Sequence, residues 1–382
     1  MQVLKGMTWD HSRGYDPMEV TAKMFNENNP NVKIIWEKRS LQAFADRPIE
    51  LMAFDYDLMV IDHPHVGEAS RKDLIYELNV AEKYKDQLEI LSKSSVGLSH
   101  LSYNFNNNQY ALAIDAAAPV SAFRKDIIKN LPQTFEEVIK LAEKFQVMWP
   151  IKPVDSISSF NTIAANLGNP INEKHGFFID TSIGKSILKM MKDLADLVPK
   201  DCLDMNPIQT LDYMSTHNDI IYCPLLYGYS NYSREGYRDS IIHFSDIPSF
   251  NADRSNITGS QLGGTGLAIS KNTNYLEAAL EYSFWVASES CQKDLYYHSG
   301  GQPGHLQAWE NENINNNCNN FFKNTLSTLK KSWLRPRYDG YMYYQDIGGT
   351  LINNYLRGNT SIDFTFKEMK KEFDKSLYVN QK

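Results

Sequence analysis

Apolar and polar positions follow one another in a repeating order from the first residues of the chain. Residues 3–9, Val-Leu-Lys-Gly-Met-Thr-Trp, read as a short strand that runs into the polar loop Asp10-His11-Ser12-Arg13-Gly14-Tyr15. Asp16 is expected as the N-cap of a helix with Pro17 at its first position, where a missing N–H costs nothing. Met18, Ala22 and Phe25 keep helical spacing, and Asn28-Asn29-Pro30 ends the helix. Residues 32–36 form a second strand. The opening is thus strand, helix, strand, the unit from which parallel sheets are built.

The same grammar returns. Asp57-Leu58-Met59-Val60-Ile61 is a nearly continuous apolar run, as in a strand buried on both faces, and Asp62-His63-Pro64-His65 is the loop at its C-terminal end. Loops at such ends face the ligand crevice in open α/β sheets. Residues 110–115 are a further strand, followed by Ala116-Ala117-Ala118-Pro119 and a second apolar stretch over 120–123; small residues and Pro suit a crossing between lobes. Thr134 with Glu137 has capping-box spacing and opens a helix through Lys144. Residues 219–224 read as a buried strand, 225–232 as an aromatic, Gly-containing loop, and 275–287 as a helix with Leu276, Ala279, Leu280 and Phe284 on one side. The Asn-rich tract 311–320 reads as a polar surface loop, and no tandem repeat of fixed period occurs.

Composition narrows the function classes. A chain of 382 residues implies two or three domains at roughly 100 to 200 residues each. With 42% apolar and 22% charged residues it belongs with globular proteins rather than disordered ones. A net charge of -7, with basic residues clustered no further than pairs such as Arg71-Lys72 and Lys330-Lys331, argues against nucleic acid or an anionic membrane as partner. No stretch approaches the roughly 18 apolar residues of a membrane span. The first six residues lack the regions of a signal peptide, so either the chain works in the cytoplasm or a leader has been removed ahead of Met1. Cys202, Cys223, Cys291 and Cys318 are irregularly spaced with no C-x-x-C pair, which leaves the compartment undecided.

The order of segments resembles that of the extracellular solute-binding proteins that include maltose-binding protein, the sugar-type receptors of ABC importers, over nearly the whole chain. The resemblance is carried by Gly263-Gly264-Thr265-Gly266-Leu267-Ala268-Ile269-Ser270, by Ala278-Ala279 and Phe284-Trp285-Val286-Ala287-Ser288, and by Gly300-Gly301-Gln302-Pro303-Gly304. Arg335-Pro336-Arg337-Tyr338, Gln345 and the segment from Phe25 to Ile34 add to it. The resemblance implies an α/β, two-lobed periplasmic-binding-protein-like fold, each lobe a mixed sheet flanked by helices, with a hinge between lobes. The N-terminal lobe would hold residues 1–114 plus 262–305 and the C-terminal lobe 115–261 plus 306–382. It also implies a monomer outside the cytoplasmic membrane that closes on a small polar solute, carbohydrate-like, and serves ABC transporter permease subunits, with no cofactor and no catalysis.

Candidate ligand residues follow from crevice position. Trp9, Asp10, His11, Arg13 and Tyr15 combine an aromatic face with carboxylate and guanidinium, which suits a polyhydroxylated ring; the plain reading makes Trp9 core and Asp10 and His11 loop-ordering groups. Asp62, His63 and His65 form a second cluster, which a Pro-containing turn with solvated histidines explains equally. Asp115 touches ligand or braces the hinge. Tyr227 and Tyr229 project from the second lobe's loop, Gly263 and Gly264 permit close backbone approach, and the resemblance implies that Trp309, Arg335 and Arg337 line the second lobe. The glycines are not a phosphate-binding motif, because a strand rather than a helix follows them.

Two alternatives stand beside this reading. The acids and histidines at 10, 11, 62, 63 and 65 permit a metal-binding receptor, although no metal ligand set is assigned. A cleft-cysteine transferase on the same fold would need Cys223 beside a base, but Cys223 sits in an apolar run and no G-x-S-x-G elbow occurs.

Overall fold

Among the described residues the strands follow in chain order as β1 (Gln2–Trp9), β2 (Val32–Arg39), β3 (Leu58–Ile61), β4 (Asn104–Phe105), β5 (Asn108–Gln109), β6 (Leu112–Ala113), β7 (Pro119–Phe123), β8 (Tyr222–Tyr227), β9 (His243–Ser245) and β10 (Gly266–Ile269). The computed structural model describes residues 1–40, 48–171 and 178–378. The chain divides into two units, Met1–Ala116 with Gly263–Ile314, and Ala117–Leu262 with Asn315–Lys382.

The first unit is built on a five-stranded sheet of order β2-β1-β3-β10-β6. β1 runs parallel to β2 from Gln2↔Val32 to Trp9↔Arg39 and parallel to β3, whereas β10 is antiparallel to β3 and β6. All four residues of β3 and of β10 are buried, which is why these strands read as unbroken apolar runs. Met7, Leu58, Val60 and Leu267 of the sheet share a core with Ala279 and Val286 of the Leu276–Ala287 helix.

This topology decides where the polar loops go. β1 and β3 are parallel, so the loops that follow them leave at one edge of the sheet. β6 and β3 both run opposite to β10, so Asp115 after β6 and Gly263-Gly264-Thr265 before β10 reach that same edge. Gly264 makes the approach possible. It has φ +90°, and a Cβ there would stand 2.4 Å from the Asp115 carbonyl oxygen, a place where only glycine fits without strain.

The second unit holds a sheet of order β8-β7-β9 in which β7 is antiparallel to both neighbours, with parallel bridges such as Val147↔Tyr222 and Gln261↔Trp333 at its margins. Pro119↔Tyr227 pairs the start of β7 with the end of β8. The helices Pro153–Asn166 and Tyr341–Leu356 pack closely, since a Cβ on Gly349 would come within 2.3 Å of the Pro153 carbonyl oxygen. Eleven residues of the Pro153–Asn166 helix are buried, among them Asp155, Ser158, Asn161 and Thr162, so this helix carries polar groups into the interior.

Several local expectations are corrected. The first helix spans Asp16–Asn28 with Tyr15 at the cap and no capping side chain, so Asp16 lies inside it and serves as a first-turn acid rather than as N-cap. Thr134 does cap Phe135–Ala142, accepting from the Glu137 N–H at 3.4 Å, and that helix stops at Ala142 instead of Lys144. The strand expected over 219–224 is displaced to Tyr222–Tyr227 and absorbs the first three residues of the expected aromatic loop. Pro224 misleads here: Val120 pairs with Leu226 and Ala122 with Cys223, leaving Pro224 in a bulge where no ladder N–H is needed.

The Asn-rich tract is also no loop. It forms the helix Glu312–Asn317, then Asn319 and Asn320 take left-handed conformations at φ 49° and 62°. Asparagine tolerates that region, and its side chains replace missing backbone partners: Asn311 Oδ1 accepts from the Ile314 N–H and Asn315 Oδ1 from the Lys323 N–H.

Candidate functional site

At the loop edge of the first unit the dominant feature is a buried ion pair. Arg13 donates from Nε to Asp115 Oδ2 at 2.7 Å and from Nη2 to Oδ1 at 2.5 Å, a bidentate fork between residues that are 4% and 1% exposed. Burial pushes the Asp115 carboxyl upward, the Arg13 charge in direct contact opposes this, and nearby Asp62 adds a further upward push. Asp115 also exchanges backbone hydrogen bonds with Thr265, 3.1 Å in each direction, and bridges to Pro303. One residue therefore ties together the loop after β1, the approach to β10 and the Gly-Gln-Pro turn. The Asp115 carboxylate thus braces this loop edge within the first unit.

The rest of this edge sorts by exposure. Asp10 is exposed and pairs with Lys38 at 2.8 Å, whose ammonium also stands 4.7 Å from the Tyr15 ring centroid. Trp9 is 4% exposed and belongs to the core, its indole lying over Gly14, where a Cβ would come within 2.3 Å of the ring. The His11 ring accepts from the Arg13 N–H through Nδ1 at 3.0 Å, shaping the loop that carries the guanidinium. His63 and His65 are buried, at 0% and 8% exposure, so the solvated-histidine alternative is corrected. They fall in the 3₁₀ turn His63–His65 because Pro64 fixes a helical φ, and the turn continues into the helix Val66–Arg71.

Tyr103 was not anticipated from sequence. It is 1% exposed, stacks edge-on against His63 at 6.2 Å between centroids, and donates to the carbonyl oxygen of Ile61 at 3.1 Å, with that of Gly264 at 3.4 Å. It thereby couples β3 to the glycine pair; its surroundings, Leu-Ser-Tyr-Asn-Phe-Asn, carry no signal for this. Thr265 Oγ1, on a residue 7% exposed, has no hydrogen-bond partner among the described residues. Trp309 lies in the first unit, not with the second-lobe residues as expected, and is 2% exposed with Nε1 donating to the Pro303 carbonyl oxygen at 2.7 Å.

In the second unit Tyr227 is half-buried at the end of β8, Tyr229 is buried, Arg335 is buried and bonded to Gln345 Oε1 at 3.0 Å, and Arg337 is half-buried. Tyr227 joins a polar cluster that sequence did not reveal: Gln261 Nε2 donates to the Tyr227 hydroxyl at 2.9 Å and to Ser158 Oγ at 3.1 Å, and Asn161 Nδ2 donates to Gln261 Oε1 at 2.8 Å. Asn161 Oδ1 and Asp155 Oδ2 are buried and have no hydrogen-bond partner among the described residues. Burial pushes the Asp155 carboxyl up to about 7, against the opposing charge of Lys152. The available signal was a helix whose buried residues mix serine, threonine, asparagine and aspartate with Ile157, Phe160 and Ile163.

The cysteine chemistry is equally defined. Cys223 is fully buried, and burial pushes its thiol well above the ordinary value, the opposite of what a thiolate nucleophile requires. Among the described residues no group of three or more histidine, cysteine or acidic side chains comes together so as to hold a metal ion.

No protein-family model matches this sequence. Among solved structures the chain is similar to maltose-bound MalE3 of T. maritima, with a TM-score of 0.84 at 14% identity, covering 98% of this chain and 99% of that one. It is similar to an ABC transporter solute-binding protein of Thermotoga lettingae TMO bound with alpha-D-tagatose, with a TM-score of 0.83 at 14% identity and coverage of 99% and 100%. A third, from Agrobacterium radiobacter K84 in complex with ribitol, gives a TM-score of 0.82 at 17% identity with 98% of each chain covered. The likeness establishes the fold: a two-lobed, MalE-like arrangement with mixed sheets flanked by helices, as the order of segments led us to expect.

Two predictions follow from the buried charges. Arg13→Met leaves the Asp115 carboxylate buried without its partner and is expected to cost about 3–5 kcal/mol, most of it recovered in Arg13→Met/Asp115→Leu; urea unfolding of the set checks this. For Asp155 the folded carboxyl titrates at about 7 instead of 3.8, so the folded form holds its proton longer than the unfolded one. Its contribution to stability is therefore lost as pH rises from about 4 to 7, by up to about 4 kcal/mol. Asp155→Asn is expected to raise the melting temperature at pH 8 and to leave it nearly unchanged at pH 4.

Proposed function

We propose that this chain is the solute receptor of an ABC importer, working outside the cytoplasmic membrane as a monomer, and that its ligand is a small polyhydroxylated molecule, a sugar or sugar alcohol. The observation that carries the reading is the likeness over 98–99% of the chain, both units included, to receptors solved with maltose, tagatose and ribitol. Those ligands differ in size and ring form but share dense hydroxyl groups.

The residues support the same chemistry. Hydroxyl groups need acceptors held in place, and Asp155 Oδ2 and Asn161 Oδ1 are buried ones without partners among the described residues. A buried acceptor left unmet costs about 1–3 kcal/mol, so a ligand O–H that meets it is favoured over an apolar group. Half-buried Tyr227 supplies aromatic surface with a polar tip. Asp10, His11, Tyr15, Asp62, His63, His65, Tyr229, Gly263 and Arg337 complete the proposed contacts, with Trp9, Arg13, Asp115 and Trp309 as the frame beneath them. The hinge closure and the permease partnership belong to the same proposal. Buried, high-titrating Cys223 does not favour the transferase reading.

A thermal-shift panel tests it. A sugar or sugar alcohol present at 100 times its Kd is expected to stabilise the folded chain by about 2.7 kcal/mol, seen as a rise of a few degrees in melting temperature. Cys223→Ser is expected to keep that response. A midpoint that moves only with divalent metal, or a response abolished by Cys223→Ser in a chain that still folds, overturns the reading.

A further inference from the structure

The buried cluster around Gln261 has more order than packing alone requires. Asn161, Ser158, Gln261 and Tyr341 are 1%, 4%, 2% and 0% exposed, while Tyr227 is half-buried. Asn161 Nδ2 donates to Gln261 Oε1 at 2.8 Å and to the Tyr341 hydroxyl at 3.3 Å. Gln261 Nε2 donates to Ser158 Oγ at 3.1 Å and to the Tyr227 hydroxyl at 2.9 Å. The Gln261 backbone is pinned as well, its N–H donating to Thr162 Oγ1 at 3.1 Å.

The direction of these bonds is fixed by what each arrangement leaves unmet. As arranged, the cluster leaves one carbonyl oxygen, Asn161 Oδ1, without a partner among the described residues. Turning both amides over would instead bury the two N–H groups of Asn161 without acceptors, and orphaned N–H groups are rarer in interiors than under-used carbonyl oxygens. Gln261 must then present Nε2 to Tyr227. The Tyr227 oxygen accepts that bond, and its own O–H hydrogen is released to donate away from the cluster.

We infer that Gln261 is a positioning residue that fixes the Tyr227 hydroxyl as a hydrogen-bond donor toward the ligand. This rests on the receptor reading above and deepens it. The half-buried Tyr227 hydroxyl is thereby a donor that asks for an acceptor on the ligand. A hydroxyl group, which donates and accepts at once, supplies one; an ammonium group, which only donates, does not match at Tyr227. Discrimination between polyol and cationic solutes would thus be set by a glutamine behind the tyrosine that meets the ligand.

The test inverts the polarity without changing shape. In Gln261→Glu one carboxylate oxygen still accepts from Asn161, and the other can only accept, so the Tyr227 hydroxyl turns inward to donate. Ultraviolet resonance Raman difference spectra of the full chain, each variant against the same chain carrying Tyr227→Phe, isolate the Tyr227 ring doublet, whose intensity ratio distinguishes an accepting from a donating hydroxyl. The expected result is a ratio of the mixed, accepting-and-donating kind in the unaltered chain and of the purely donating kind in Gln261→Glu; an unchanged ratio in a folded Gln261→Glu chain overturns the inference. Gln261→Met, which removes the bond but keeps the volume, is expected to leave the mixed ratio because water replaces the lost donor, and urea unfolding of both variants checks that each folds.

Calorimetry with maltose, ribitol, D-tagatose and D-mannitol supplies the functional arm. Gln261→Glu is expected to weaken whichever of these binds by about tenfold, and the loss is expected to vanish in the Tyr227→Phe background. A loss that persists without the Tyr227 hydroxyl overturns the assigned role. If none of the four binds while the Raman ratio turns purely donating in Gln261→Glu, the receptor reading for polyols fails and the positioning by Gln261 stands.

Discussion

The pair formed by Arg13 and Asp115 is the constraint on which the first unit's loop edge depends. Parallel β1 and β3 and the reversed β10 bring four separate loops to one edge of the sheet, but topology alone does not fix their spacing. A bidentate guanidinium locks the loop after β1 to the residue after β6, and the same residue grips Thr265 through its backbone. Gly264 can lie against Asp115 only because it lacks a Cβ. A buried ion pair is a poor source of net stability compared with apolar packing of the same volume. Its use here is geometric: it allows one arrangement of the loops and penalises the rest.

The second unit solves a different problem. Its Pro153–Asn166 helix is buried almost all round yet carries serines, threonine, asparagine and aspartate inward. Ser158, Asn161 and Thr162 bond to Gln261, Ser156 to the Ile151 carbonyl oxygen and Asn166 to the segment 250–258, while Asp155 Oδ2 and Asn161 Oδ1 have no hydrogen-bond partner among the described residues. Burial favours the protonated form of the Asp155 carboxyl and pushes it up to about 7. A core packed for stability alone would leave no such groups, and their concentration on one helix is what the proposed receptor function would use.

Much of the frame was legible in the sequence. β3 and β10 declared themselves as apolar runs because both faces are covered, and the Leu276–Ala287 helix through its spacing. The order of the Gly-rich strand, the helix and the Gly-Gln-Pro turn pointed to the fold that the solved structures share. The misreadings have local causes. Pro224 hid in a bulge, and asparagines that cap helices and tolerate left-handed backbone passed for a loop. At the candidate site, loop positions placed the first unit's residues on one edge. No sequence rule could show that Arg13 and Asp115, 102 positions apart, spend their charges on each other. The Gln261 cluster was invisible for the same reason, since Ser158, Asn161, Tyr227 and Gln261 meet only through tertiary packing.

The proposed receptor for polyhydroxylated solutes is framed by a buried ion pair in one unit and carries a directed hydrogen-bond cluster in the other. Purifying the chain without added ligand, denaturing it and identifying the released small molecule by mass spectrometry tests this most directly. A sugar or sugar alcohol released in stoichiometric amount is the predicted result. Stoichiometric release of a metal ion, or of a cationic solute lacking hydroxyl groups, would contradict it.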